Sequence, residues 1–236
     1  KFIRYENDGS IIRRKIKYSR NSKPGSKKNP YLRNGDIVYV GKSNFYTFEL
    51  IHKWPKWEKN FLNISGEKFS GKTHLINIFI KKFNGIRLES KSLNEEKLNS
   101  IRAYQNIILE DLDLDINEEL IYSLFNLIEQ NNKFLIITSL KPVVEISFKL
   151  DDLRSRAKNC LLAKIENPDD ELMFALILKN FSDRQITIDK KLIDFIIKRI
   201  DRSYDKIFEF IYKIDELSLK KKKPIDFKTI KEVLKA

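Results

Sequence analysis

Eight residues, Gly66-Glu67-Lys68-Phe69-Ser70-Gly71-Lys72-Thr73, carry the pattern G-x-x-x-x-G-K-T, whose residue types suit the gripping of phosphate. Gly66 and Gly71 let the backbone turn its N–H groups, with Ser70 among them, toward phosphate oxygens. A helix beginning near Lys72 adds the positive end of its dipole. Lys72 can reach the terminal phosphates, and the Thr73 hydroxyl can ligate Mg2+. Such a loop needs an acid at the end of a neighbouring strand, and Ile107-Ile108-Leu109-Glu110-Asp111 supplies two. Glu110 falls on the Mg2+ side, and Asp111 falls where a residue could orient attacking water. The plainer alternative is an acidic helix-entry loop, because Asp113 and Asp115 follow at once.

Other residues offer weaker chemistry. Phe134–Ile137 runs into Thr138-Ser139, which reads either as a polar strand tip able to sense a γ-phosphate or as a turn before Pro142. Arg156, in Leu153-Arg154-Ser155-Arg156, could stabilise phosphoryl-transfer charge in a neighbouring subunit's site, or could be a surface arginine. His74 directly follows Thr73, yet a satisfied helix histidine is the better reading than a base, and His52 is read the same way. Trp54-Pro55-Lys56-Trp57 reads as core or helix-cap packing rather than a base-stacking platform. Cys160 reads as a small buried residue in a strand. Lys220–Lys223 precede Pro224, where cations favour a helix C-terminus.

The elements that must position these residues are legible from periodicity. Residues 1–43 read as β and turn: Asp8-Gly9 between Phe2–Tyr5 and Ile11–Tyr18, a loop from Arg20 to Pro30, the turn Asn34-Gly35, and a strand over Asp36–Val40. Asn44–Trp54 reads as a helix. Apolar runs at Phe61–Ile64, Ile86–Glu89, Ile107–Leu109 and Phe134–Ile137 then alternate with helical patterns at Lys72–Phe83, Asn94–Ile101 and Asn117–Glu129. Fully apolar strands alternating with helices imply a parallel sheet covered on both faces. After Pro168 the pattern is helical throughout, at Asp169–Phe181, Lys190–Ile200, Tyr204–Leu219 and Asp226–Leu234. The expected domains are a β-rich 1–43, an α/β domain over 44–165 and a helical domain over 166–236.

Composition bounds the function. The chain has 236 residues, 42% hydrophobic and 33% charged, enough for a soluble globular core. No apolar run is long enough for a membrane span, and one cysteine excludes a disulfide scaffold or a cysteine-built zinc site. The net charge of +13 is uneven: residues 1–43 hold 12 Lys/Arg against 3 Asp/Glu, which is +9, leaving +4 for the rest. The basic segment could meet nucleic acid or anionic lipid, or simply be solvated. The chain opens on Lys1, without a signal peptide, and the natural N-terminus is expected upstream.

The order of phosphate loop, acid-ended strand, Thr-Ser strand tip, Leu-Arg-Ser-Arg and helical lid resembles an AAA+ ATPase. Gly71-Lys72-Thr73-His74-Leu75 is similar to the phosphate loop of the replication initiator DnaA and its relatives. Over about residues 40–236, Trp54-Pro-x-Trp57, Leu109-Glu-Asp111, Asp152-Leu-Arg-Ser-Arg156, Asn167-Pro-Asp-Asp170 and Phe181-Ser-Asp-Arg-Gln185 resemble the alphaproteobacterial branch of the Hda proteins, DnaA paralogues lacking the DNA-binding domain. The resemblance implies a cytoplasmic regulator that binds ADP or ATP with Mg2+, associates with the sliding clamp and promotes hydrolysis of DnaA-bound ATP. By position, Gly66, Ser70, Gly71, Lys72, Thr73 and His74 would bind nucleotide. Thr73 and Glu110 would hold the metal, Glu110 and Asp111 would form the acid pair, and Arg156 would be an arginine finger acting on DnaA.

Three departures qualify this. The family's lid arginine falls at Asp205, beside Lys206. The acid pair is Glu-Asp rather than Asp-Asp, so the chain's own hydrolysis is expected to be weak. The family's clamp-binding peptide is not seen. No helix-turn-helix pattern follows the lid, so direct sequence-specific DNA binding is not expected. The first 40 residues, from Phe2-Ile-Arg-Tyr5 to Leu32-Arg-Asn-Gly-Asp36-Ile-Val-Tyr-Val40, resemble the end of a polysaccharide-export protein's ligand-binding domain, implying a join near residues 37–43. The rival functions are a helicase loader of the same AAA+ class and a non-catalytic module that binds through its basic N-terminal segment.

Overall fold

The computed structural model describes residues 2–5, 11–14, 37–39, 42–112, 116–221 and 223–235. The Asp8-Gly9 and Asn34-Gly35 turns, the loop over 20–30, Val40 and Gly41 within the expected join near residues 37–43, Asp113, Asp115 and Lys222 lie outside those residues. The chain divides into two compact units, one spanning Asn44–Glu166, the other grouping Lys1–Ser43 with Asn167–Ala236.

Near the N-terminus, β1 (Phe2–Tyr5), β2 (Ile11–Arg14) and β3 (Ile37–Tyr39) form an antiparallel sheet in the order β2-β1-β3. Phe2 pairs with Arg14 on one side and Tyr39 on the other.

The first unit begins with α1 (Phe45–Lys53) and β4 (Phe61–Ser65). It continues through α2 (Lys72–Phe83), β5 (Ile86–Glu89), α3 (Glu95–Ser100), β6 (Asn106–Glu110) and α4 (Glu118–Gln130), and ends with β7 (Phe134–Ser139), α5 (Asp151–Lys158) and β8 (Leu161–Lys164). Its five strands are parallel, in the order β5-β6-β7-β4-β8. Along each strand, side chains alternate between two helix-covered faces. Phe61, Ile107, Leu109, Leu135 and Ile137 pack with Leu124, Phe125 and Ile128 of α4. Leu62, Ile64, Ile108 and Ile136 of the intervening positions are equally buried, as are Ile76 and Phe79 of α2. Burial on both sides is why these strands read as unbroken apolar runs. Trp54 and Trp57 meet Phe79 and Phe134 with ring centroids 5.7–6.0 Å apart, so that cluster is packing.

The second unit holds α6 (Asp170–Asp183), α7 (Lys190–Ile197), α8 (Tyr204–Lys221) and α9 (Phe227–Lys235). Asp169, Asp189 and Asp226 each accept a backbone N–H from the first turn that follows, at 2.7–2.8 Å, which sets the starts of α6, α7 and α9. Met173, Ile177, Phe181, Ile193, Ile196, Ile207, Ile211 and Ile214 form its core.

Two elements differ from the periodicity reading. α5 and β8 carry no helix or strand signal strong enough to separate them, and Cys160, although buried, sits just before β8 rather than within it. Thr138 and Ser139 complete β7 and are not a turn.

Candidate phosphate-binding site

In a parallel sheet every strand delivers its carboxyl end to the same edge, and ligands collect where the strand order reverses. Here β4 lies between β7 and the edge strand β8, and its successor β5 lies at the far edge, so the reversal falls at β4. Ser65 pairs with Ser139, and Leu109 with Ile137, which brings the ends of β4, β6 and β7 to one level. The loop 66–71 leaves β4 at that point and closes on α2.

The loop is anchored where it leaves β4. Gly66 N–H donates to Ser139 O at 3.2 Å, and Ile165 N–H to Ser65 O at 2.7 Å. A Cβ on Gly66 would lie 2.9 Å from Ser70 Oγ and 3.2 Å from Ile165 O, so the turn has no room for a side chain. Gly71 caps α2 with φ +93°, a conformation that L residues rarely adopt. Phe69 also lies at positive φ, 61°.

Lys72 opens α2 and is buried, 8% exposed. Its Nζ donates to Gly66 O at 2.7 Å and Glu67 O at 2.8 Å, which leaves one of three ammonium protons for a ligand. Burial pushes this ammonium below its usual range, while the Asp111 and Glu67 carboxylates pull it back up. Thr73 is exposed at the second position of α2, and His74 is half-buried at the third.

Glu110 ends β6 and is 7% exposed; Asp111 follows with φ 53° and an exposed side chain. Thr138 fixes this corner: its Oγ1 accepts Asp111 N–H at 3.0 Å, and its carbonyl accepts Leu112 N–H at 2.8 Å. Asn63, fully buried in β4, donates to Ile137 O at 3.2 Å and Ser139 Oγ at 2.9 Å and accepts Val143 N–H at 2.9 Å. The Thr138-Ser139 tip is thus tied into the frame of the site.

Glu110 Oε1 and Ser70 Oγ are buried without a hydrogen-bond partner. A buried carboxylate oxygen at the end of β6 and a buried loop hydroxyl, each without a partner, are groups that a bound phosphate with its cation would satisfy, so the residues present fit a nucleotide and Mg2+. Among the described residues, no group of three or more His, Cys, Asp or Glu could hold a metal by itself, so a cation here would depend on phosphate oxygens.

Arg87 was not singled out by residue type or spacing. Its Nε lies 3.0 Å from Glu110 Oε2. A buried acid calls for a partner, but that β5 lies beside β6 is information of the sheet and not of the sequence.

Arg156 stands apart from the loop in its contacts. It reaches from α5 to α4, with Nη1 2.5 Å from Glu129 Oε2, Nη2 2.5 Å from Asn126 Oδ1, and the guanidinium 5.2 Å from the Tyr122 ring centroid. Glu118 fixes the approach to α5 by accepting Lys149 N–H at 2.9 Å and Leu150 N–H at 2.8 Å, and these donors, Lys149 foremost, hold its carboxyl below the usual range.

No protein-family model matches the chain. It is similar to the chromosomal replication initiator protein DnaA of Clavibacter sepedonicus, 22% identical over 226 residues, a match covering 85% of this chain and 48% of the relative. The chain spans about half the length of the curated relatives it matches. Domain III of the replication initiation protein DnaA from Thermotoga maritima superposes with a TM-score of 0.67 at 21% identity, over 84% of this chain and 93% of that one. AMPPCP-bound DnaA from Aquifex aeolicus superposes with a TM-score of 0.61 at 20% identity, over 75% of this chain and 63% of that one. No helix among the described residues is long and apolar enough to cross a membrane. The parallel sheet, its strand order and its flanking helices make this chain an α/β protein of AAA+ fold, similar to DnaA in both sequence and architecture.

Proposed function

We propose that the chain is an adenine-nucleotide-binding regulator of chromosomal replication initiation, Hda-like, which promotes hydrolysis of DnaA-bound ATP through Arg156. The observation that carries this reading is the loop 66–73, with a buried Lys72 ammonium and two orphaned polar atoms, one in the loop at Ser70 and one at the end of β6. Loop N–H groups and Lys72 hold the phosphates of ADP or ATP, and the Thr73 hydroxyl and Glu110 hold Mg2+. When bound, the metal neutralises phosphate charge. Asp111 is placed to orient water, but the reading assigns the chain a regulatory role with weak hydrolysis of its own. Similarity to DnaA and to a DnaA bound to AMPPCP supports the nucleotide class.

Arg156 contacts α4 and no residue of its own phosphate loop, which favours action in trans on ATP held by a DnaA-type partner. The chain works in the cytoplasm on this reading. The sliding clamp is the family's further partner. The first 43 residues are a fragment of an export protein joined near residues 37–43, which sequencing across codons 30–50 in independent clones tests.

The test is phosphate release from ATP-loaded DnaA with and without the chain. Wild type accelerates release; Arg156→Ala keeps ADP affinity and loses the acceleration. Full acceleration by the variant removes Arg156 from the mechanism. The similarity to DnaA itself favours a second reading, the nucleotide module of an initiator. Self-stimulated hydrolysis that rises with the chain's own concentration, without DnaA, would select it.

A further inference from the structure

The Mg2+-side acid already has a cation. Glu110 Oε2 takes Arg87 Nε at 3.0 Å, and Arg87 Nη2 donates in turn to Asn77 Oδ1. Arg87 lies on β5, whose Glu89 pairs with Glu110, so the guanidinium crosses from the neighbouring strand. Asn77 lies on α2 four residues after Thr73, on the same face of the helix. A single guanidinium therefore bridges the acid at the end of β6 to the first turns of α2. Those are the two elements that a divalent ion would join, through Glu110 and Thr73.

We infer that Arg87 is a built-in counter-cation for Glu110, and that it makes the binding of a nucleoside diphosphate by this chain nearly independent of Mg2+. This rests on the nucleotide reading above. A buried carboxylate with no cation beside it repels incoming phosphate, and in a metal-dependent site the metal removes that repulsion. Here a guanidinium removes it permanently. A divalent ion gains correspondingly less, because it must either displace Arg87 from Oε2 or approach an existing cation and use Oε1 alone.

The experiment is calorimetric titration of ADP into the full chain, once with excess Mg2+ and once with EDTA. Wild type is expected to bind with affinities within about threefold of each other in the two conditions, and Arg87→Lys, which keeps the charge, to do the same. Arg87→Gln is expected to bind about tenfold or more weakly in EDTA than in Mg2+. The double variant Arg87→Gln/Glu110→Gln, which removes both charges, is expected to regain indifference to the metal. A merely structural role for Arg87 would not produce that rescue, and the double variant also decides the matter if Arg87→Gln alone does not fold. A wild-type affinity that falls about tenfold on chelation, or an Arg87→Gln ratio equal to wild type, overturns this inference and leaves the nucleotide reading standing. Absence of ADP binding in both conditions overturns both.

Discussion

Replacing Lys72 by Met separates phosphate binding from structural support. The substitution keeps the stem's volume and removes the ammonium. Without ligand, the folded chain loses two charge-assisted hydrogen bonds, to Gly66 O and Glu67 O, worth about 1.5–3 kcal/mol each. It also escapes the cost of burying a charge that desolvation already disfavours, a penalty of several kcal/mol. The terms oppose one another, so ligand-free stability should move by less than about 1.5 kcal/mol. Binding has no such compensation. A fixed charge about 4 Å from a phosphate oxygen contributes about 4 kcal/mol at an effective dielectric near 20, so a loss of at least about a hundredfold in affinity is expected. Wild type at an ADP concentration of about 100 Kd gains ~2.7 kcal/mol, which at about 2–4 °C per kcal/mol raises the melting temperature by roughly 5–11 °C. At the same ADP concentration the variant would sit near its own Kd and gain only ~0.4 kcal/mol, a shift of about 1–2 °C. Thermal melting with and without ADP reads both quantities. A full ADP shift in Lys72→Met refutes the phosphate role, and a collapse of ligand-free melting shows that Lys72 is structural instead.

Gly71→Ala meets no neighbour within 4 Å, so its cost is conformational, about 1–3 kcal/mol for a side chain at φ +93°; unchanged urea unfolding would contradict this. Asn63→Ala strips partners from Ile137 O, Ser139 Oγ and Val143 N–H in a fully buried setting, and should cost about 2–4 kcal/mol. A loss below about 1 kcal/mol in the same assay would show that the network relaxes without it. Cys160 is 5% exposed, and burial pushes its thiol up to about 12, so iodoacetamide at pH 8 should leave the folded chain unmodified and label it fully in urea. Rapid labelling of native protein would contradict the burial of that thiol.

The phosphate loop was legible because its chemistry restricts residue type: only glycine suits φ +93° at position 71 and the crowded turn at position 66. The central strands β4, β6 and β7 were legible because two-sided burial removes polar residues from them, leaving few exceptions such as Asn63. β8 was legible only as a strand placed at Cys160, one residue before its start at Leu161, because it is short, only one of its residues is buried, and Lys164 ends it. α5 was not, because five of its eight residues are charged, and its contacts to α4 lie far away in sequence. Thr138-Ser139 could be read as tip or turn until pairing with Ile64 and Ser65 placed both residues in β7. Arg87 needed the same kind of information, since the register pairs it with Ile108 and only so brings its guanidinium within reach of Glu110 two residues on.

Arg156 shows how one side chain can be held and still be available. Its ion pair with Glu129 joins a guanidinium 20% exposed to a carboxylate 41% exposed, and pairs so open to solvent contribute about 0–1 kcal/mol. The Tyr122 ring and Asn126 add contacts of the same modest size at a partly exposed site. Releasing the guanidinium therefore costs little beside what a finger contributes to phosphoryl transfer, about three to five powers of ten in rate. Glu110 and Arg87 behave oppositely. Glu110 is 7% exposed, and one of its oxygens has no other partner, so losing Arg87 would leave a buried charge uncompensated. The same Arg–Glu chemistry is thus a parking contact on the surface between α4 and α5 and a fixed charge pair at the end of β6. Desolvation of the carboxylate sets the difference, since Glu129 is 41% exposed and Glu110 only 9% at the side chain, while Arg87 itself, at 35%, is more open than Arg156 at 20%; on the proposed reading it is the Arg156 contact that gives way.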